Sequence, residues 1–262
     1  MPGPRKQGLI VQARDMRLLQ ELGITRVADR DQIRCFAGFG SPRRANDRLL
    51  ALTRSGLLRR FFMGTNAVGR KALYTLSPKG AKLVGSSYQG LRRAQDEYLV
   101  GDFFVNHQLG INEIYCTVKY RPIPIPRTSF VRWLSFNEPV APGFALVPDG
   151  FFELRIGDAT ISAFLEVDLG SETRSVWQGK VKGYLRYATS GQFAEQFADR
   201  PFRVLAIANS DRRTASLRAA TATITEKIFW FTSFDAIERD GFWSAIWQRP
   251  TNERPQELLP NP

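Results

Sequence analysis

The chain has 262 residues, 43% of them hydrophobic, which suits two ordinary domains and excludes a disordered polymer. Lys and Arg number 37 against 25 Asp and Glu, but the surplus is uneven: residues 1–95 carry 19 against 5, or +14, and the remainder 18 against 20, or −2. No run of about 18 apolar residues occurs and the N-terminal MPGPRKQG lacks an apolar signal core, so neither a membrane span nor secretion is expected and the cytoplasm is the expected compartment.

Residue types absent from the chain narrow the chemistry. His107 is the single histidine, which argues against histidine-cluster DNA-joining enzymes, zinc hydrolases and HNH nucleases. No GxxxxGK[ST] loop is present, which argues against nucleotide hydrolysis. Cys35 and Cys116 stand far apart in sequence and read as two separate reduced thiols.

In chain order, Met16, Leu18, Leu19 and Leu22 form one stripe of a helix over Arg14 to Leu22, with Gly23 as its expected stop. A second helix spans Ala28 to Phe36, with Asp29 or Asp31 as cap. Ser41 and Pro42 start a third, Arg43 to Ser55, with Leu49, Leu50 and Leu52 inward. Two strands, Leu57 to Met63 and Lys71 to Leu76, flank the loop Gly64 to Arg70, and Ser77-Pro78 opens a short closing helix to about Val84.

Three helices, a hairpin and a closing helix resemble the winged helix-turn-helix fold over residues 12–86, through LLALTRSGLLRRFF and RKALYTLSPKGAKLV. In that fold the third helix enters the major groove of duplex DNA and the hairpin lies along a phosphate strand. The resemblance makes Arg43, Arg44, Asn46 and Arg48 candidates to read bases, arginine forking onto guanine and asparagine onto adenine. Arg59, Arg60, Arg70 and Lys71 would position the backbone. The competing reading is that winged domains also mediate protein contacts and that these arginines only solvate a helix.

A domain boundary is expected near residue 90, so that 1–90 bind DNA, 91–250 form a second domain and 251–262 are a flexible tail; Leu91 to Leu99 reads as a connecting helix. Asp102 to Val118 repeats apolar residues at helical intervals and carries Glu113. Strands are expected at Phe130 to Phe136, Ala145 to Val147, Phe151 to Ile156, Ala159 to Val167, Phe202 to Ala208 and Ile228 to Phe231. Helices are expected at Glu172 to Ala188 and Arg212 to Ala222. A meander followed by a crossover helix and a further strand gives a mixed α/β sandwich. Trp230, Phe231, Trp243 and Trp247 suit core or dimer packing better than base stacking, so a homodimer enters the expected partners.

Asp149 sits at one strand end, and Glu166 and Asp168 at another, with Lys180 or Lys182 on the following helix. Carboxylates beside an ammonium group suit a hard divalent cation and a developing phosphate charge. Pro148-Asp149 followed by Glu166-Val167-Asp168 resembles the PD-(D/E)xK nucleases, a restriction-endonuclease-like fold. The whole chain, with FLEVDLGSE and the later lysine and tyrosine, resembles the replication-relaxation family of plasmids and mobile elements.

That resemblance implies Mg²⁺ or Mn²⁺ on Asp149 and Glu166, with Asp168 as an added ligand, Glu113 as the acid of the first helix, and nucleoid or plasmid association. Asp168 stands where the pattern has lysine. Either the lysine has moved to the helix, with Lys180 preferred over Lys182 because it adjoins the Trp177, Val181 and Tyr184 stripe, or the fold persists without cleavage. Two functions follow: a metal-dependent nuclease acting in replication or maintenance, or a non-enzymatic sequence-specific regulator whose second domain serves dimerisation. The plain structural reading has Asp149 in a Pro-Asp-Gly turn and Glu166 and Asp168 as exposed strand-end charges. Against it, Glu166 lies in the apolar run Phe164 to Val167.

Overall fold

A computed structural model describes residues 9–65, 69–88, 98–99, 103–197 and 200–259, and the chain divides into two units, residues 1–121 and 122–262. In the first, α1 (Ala13–Thr25) runs through Gly23 and ends at Arg26, whose φ is 62°. Gly23 is therefore not a stop; a Cβ there would meet Ser86 Oγ at 2.6 Å, so it serves a close approach. β1 (Ala28–Asp29) leads into α2 (Arg30–Ala37), which Asp29 caps by accepting from the amides of Asp31 and Gln32.

Ser41 caps α3 (Pro42–Arg54), which buries Ala45, Leu49 and Leu52. β2 (Leu58–Thr65) and β3 (Gly69–Leu76) form an antiparallel hairpin, β1 joins the free edge of β3, and α4 (Pro78–Leu83) follows. The hairpin tip at 66–68 and most of the expected connecting helix, 91–97, lie outside the described residues. Tyr98–Leu99 are a short strand, β4, parallel to β2.

α5 (Phe103–Tyr120) belongs to the first unit, which moves the boundary from residue 90 to 121. Its buried polar positions explain why. Asn112 Nδ2 donates to Val27 O at 2.6 Å, Leu109 O accepts from Gln32 Nε2 at 2.9 Å, and Tyr115 OH donates to Glu21 Oε2 at 2.5 Å. Lys119 Nζ adds a bond to Glu21 Oε1 at 2.8 Å. The apolar period of α5 is visible in sequence, but these partners lie some eighty or more residues away.

Cys35 and Cys116, expected to be separate, share the hydrophobic cluster where α2 meets α5 and lie within hydrogen-bonding reach of each other; both are free thiols. The bond from Cys116 pulls the Cys35 thiol down against the opposing effect of burial, with Arg121 assisting, while the same bond and burial push Cys116 up.

In the second unit, β5 (Thr128–Leu134), β6 (Gly150–Ile156) and β7 (Ala159–Asp168) are antiparallel. α6 (Arg174–Thr189) and the short α7 (Gln192–Phe197) then lead to β8 (Phe202–Ala208), α8 (Asp211–Ala222), β9 (Phe229–Ser233) and α9 (Phe234–Asp240). β8 and β9 continue the sheet in parallel, giving the order β5-β6-β7-β8-β9. This is the mixed α/β sheet expected from the element order.

Residues 145–147 are not a strand, because Leu146 O accepts from Val140 N in a loop at 2.8 Å. Phe151, Phe164, Trp177, Tyr184, Tyr187, Phe202 and Phe229 share one aromatic core. The end of the chain is no free tail: Trp247 pairs with Gln256, and Leu258 and Leu259 are buried. Phe231 and Trp247 are core residues, and Trp230 is flanked by the guanidinium groups of Arg203 and Arg249 at 5.0 and 4.6 Å. Among the described residues no helix is long and apolar enough to cross a membrane.

A fragment of residues 1–121 is expected to unfold in one cooperative transition. A fragment of 1–90 leaves the carbonyls of Val27 and Thr25 without their Asn112 donor and is expected to lack one; circular dichroism melts of the two fragments decide the boundary.

Candidate nucleic-acid interface and carboxylate–lysine site

Burial of Ala45, Leu49 and Leu52 fixes the roll of α3 and turns Arg43, Arg44 and Asn46 to solvent. Arg48 is on the same helix but serves the interior. Its Nε donates to Asp15 Oδ1 at 2.8 Å, its Nη2 pairs with Oδ2, and the same nitrogen donates to Ile10 O at 2.7 Å. The Asp15 side chain is wholly buried and also accepts from the Gln12 amide at 2.7 Å. Burial would push this carboxyl up, but the bonds from Arg48 and Gln12 prevail and hold it below its usual value. Arg48 is thus a structural counter-ion, not a base-reading residue.

On β2, the guanidinium groups of Arg59 and Arg60 lie over the rings of Phe61 and Phe62 at 5.3 and 4.9 Å, and Arg59 donates to Tyr88 OH at 2.7 Å. Lys71 Nζ is 2.5 Å from Asp29 Oδ2, the carboxylate that caps α2, yet stays 40% exposed. Asn46 of α3 and Arg70 and Lys71 of β3 line one cleft of about 420 Å³ with Asp29, Arg30 and Asp31. The helix and the start of β3, at the tip end of the hairpin, therefore bring cations and an amide to a shared cleft that also holds the carboxylates of Asp29 and Asp31.

In the second unit, the register that sets Gly150 opposite Leu165 brings Asp149 beside Glu166 on the neighbouring strand. The Asp149 amide donates to Leu165 O at 3.1 Å and its Oδ2 accepts from Val167 N at 2.7 Å. Glu166 is buried under α6. Lys180 Nζ reaches its Oε2 at 2.7 Å, and Tyr184 OH, one turn further on, donates to Oε1 at 2.5 Å. Lys182 is exposed on the helix, so Lys180 is the lysine that meets the carboxylate. Glu172 Oε1 lies 2.5 Å from the same ammonium, and its Oε2 is buried without a partner.

Asp168 is buried as well, so neither it nor Glu166 is an exposed strand-end charge. Both Asp168 oxygens are engaged: Oδ1 accepts from Gly170 N at 2.5 Å and Arg213 Nε at 3.2 Å, and Oδ2 from Arg213 Nη2 at 2.6 Å. That nitrogen also donates to the carbonyl of Glu172 at 2.6 Å, tying the end of β7 to the entry of α6. Glu113 lies in the first unit, paired with Arg121 at 2.5 Å. Glu172, Tyr184 and Arg213 are the residues that sequence reasoning missed as members of the site. Only Tyr184 had a local signal, its position one turn beyond Lys180.

Burial is the largest influence on Glu166 and pushes its carboxyl up to about 7; Lys180 and Tyr184 pull down, and the Asp149 charge adds to the rise. For Lys180, burial pulls down but the carboxylates of Glu166, Asp149 and Glu172 outweigh it and keep the ammonium protonated. Tyr184 is raised by burial and by Glu166, so its phenol remains a donor. Lys180 supplies one positive charge to three carboxylates, and proton uptake at Glu166 relieves part of the excess.

The family profile described as replication-relaxation matches residues 19–199. The chain belongs to the replication-relaxation family. Restriction endonuclease FokI, a solved structure, aligns at 11% identity and a TM-score of 0.26 over 79% of this chain, which spans 40% of that chain; a likeness of that strength carries no weight. Comparison with curated proteins gives no significant match.

For this replication-relaxation protein, the fit to a divalent cation can be judged from the donor set. Among the described residues no group of three or more Asp, Glu, His or Cys is placed to hold one. Asp168 is bound by Arg213, Glu113 pairs in the first unit, and both Glu166 oxygens face hydrogen donors from α6. As arranged, the residues do not fit a resident metal.

Because the Glu166 carboxyl is raised in the folded chain, the stability it contributes is fully present below pH 4.5 and is lost as pH rises through about 7. Glu166→Gln is expected to flatten the pH dependence of the denaturation midpoint across that window; an unchanged slope would place the proton elsewhere.

Proposed function

We propose that the chain is a duplex-DNA-binding protein of plasmid or mobile-element replication and maintenance, working at the nucleoid or plasmid. In this reading the first unit is a winged helix-turn-helix domain, and the second is a nuclease-like fold whose carboxylate site is closed by its own lysine. The observation that carries it is the placement of Arg43, Arg44 and Asn46 outward on α3, with Asn46, Arg70 and Lys71 around one cleft. A helix with this face fits the major groove, where arginine addresses guanine and asparagine adenine. Arg59, Arg60, Arg70 and Lys71 hold phosphates.

Replacing Arg43 and Arg44 together by alanine is expected to weaken duplex binding by about 10-fold or more and to flatten its salt dependence, with the melting temperature unchanged. Arg48→Ala has the opposite profile: it leaves Asp15 buried and unpaired and lowers stability by about 3 kcal/mol. Anisotropy titrations at two salt concentrations, read beside thermal melts, separate the two. Unchanged affinity in the double variant overturns the placement of α3.

The convergence of Asp149, Glu166 and Lys180 supports a second reading, phosphodiester cleavage with Mg²⁺ or Mn²⁺. The engaged donors favour the non-cleaving form. Supercoiled plasmid is expected to stay intact with the wild-type chain in either ion; nicking that Glu166→Ala abolishes would establish cleavage instead.

A further inference from the structure

α6 carries a bare face beside the carboxylate–lysine site. Val176, Gly179 and Gly183 line a groove of about 570 Å³ whose other wall is Phe144 to Val147. This groove is open and apolar: Val176 is 51% exposed and Val147 40%, and a Cβ built on Gly179 meets nothing within 4 Å. Among the described residues its charged lining is entirely cationic, comprising Lys180, Lys182 and Arg186. Arg186 sits with its guanidinium 4.4 Å from the Phe144 ring centre and donates to Gly143 O at 2.8 Å, so a positioned cation stands at the groove. Lys180 belongs both to the groove and to the Glu166 pair, so an occupant comes up against the carboxylate cluster.

We propose that this groove is a second nucleic-acid site, taking a short single-stranded segment. Apolar walls with a cationic lining are what an unpaired strand needs, since its bases and sugars stack or pack while its phosphates seek positive charge. The walls here are Val147, Val176, the exposed backbone of Gly179 and the half-buried backbone of Gly183; the phosphate partners are Lys182 and Arg186. A duplex is too broad for a cleft of small-ligand volume, whereas one or two nucleotides match it. The site lies wholly in the second unit, requires no cleavage, and stands whether or not α3 reads duplex DNA.

The test uses the full chain carrying Arg43→Ala and Arg44→Ala, which mutes the first unit, with a fluorescent oligothymidylate about eight nucleotides long at low salt. Gly179→Trp puts a bulky side chain into the groove from a position where a Cβ meets nothing within 4 Å, and it replaces glycine inside a helix, so a melt is expected to show the fold retained. It is expected to weaken oligothymidylate binding about tenfold. Lys182→Glu does the same, and Lys182→Arg retains affinity.

Duplex binding by the chain with Arg43 and Arg44 intact is expected to be untouched by Gly179→Trp, which separates failure of this proposal from failure of the duplex-binding reading. Absence of oligothymidylate binding, equal affinity in Gly179→Trp and Lys182→Glu, or equal displacement by an oligoglutamate of the same length overturns the single-strand site.

Discussion

A carboxylate buried beneath a helix has to be matched by that helix, and Glu166 sets this condition for the second unit. Its two oxygens take Lys180 and Tyr184, which lie one turn apart on α6. That spacing fixes the roll of the helix, because any other rotation leaves a desolvated charge unpaired, a loss of about 3–5 kcal/mol when such pairs are broken. With the roll fixed, Trp177, Val181 and Tyr187 enter the aromatic core, and Gly179 and Gly183 line the open groove. Core packing, the charged site and the bare face of α6 are three consequences of one orientation.

The first unit uses the same device for a different end. Asp15 is matched by Arg48 and orients α1 against α3; Glu21 is matched by Tyr115 and Lys119 and fastens α5. Arginines and lysines engaged in this way contribute to net charge but are held by interior partners, so a count of basic residues overstates the charge offered to a partner. Arg48 shows the point most directly: it stands two residues from Asn46 on the third helix, yet it faces inward.

How far the sequence can be read follows from the range of each interaction. Strands β6 to β8 and helices α3, α6 and α8 are legible because alternation, caps and helical stripes are local signals. Asp149 and Glu166 are legible together because a tight turn and antiparallel pairing leave little choice of register. The partners of Asp168 and Asn112 are not. Arg213 lies 45 residues beyond Asp168, and Val27 lies 85 before Asn112, distances at which no pattern of residue types announces a pair. The short α7 and α9 escape for another reason: each is too brief for a stripe and begins close to a preceding element. Residues 145–147 alternate like a strand but find only a loop partner, so propensity without a neighbour was not enough.

Charge balance connects the two buried carboxylates at the end of β7, Glu166 and Asp168. Asp168 brings a negative charge into a buried strand end, and Arg213 neutralises it from α8. Glu166 receives its ammonium from α6 as Lys180, which Glu172 also holds. Each of these carboxylates is thus met by a cation from a helix. Around Glu166 one ammonium serves several carboxylates, and burial, with the Asp149 charge adding to it, outweighs Lys180 and Tyr184 and lifts the Glu166 carboxyl to about 7. A divalent cation would remove the same excess of negative charge, but it would have to displace Lys180, whose positive charge is stabilised by the carboxylates that would bind the metal. The lysine that completes the buried network is therefore also the group that competes with metal for it.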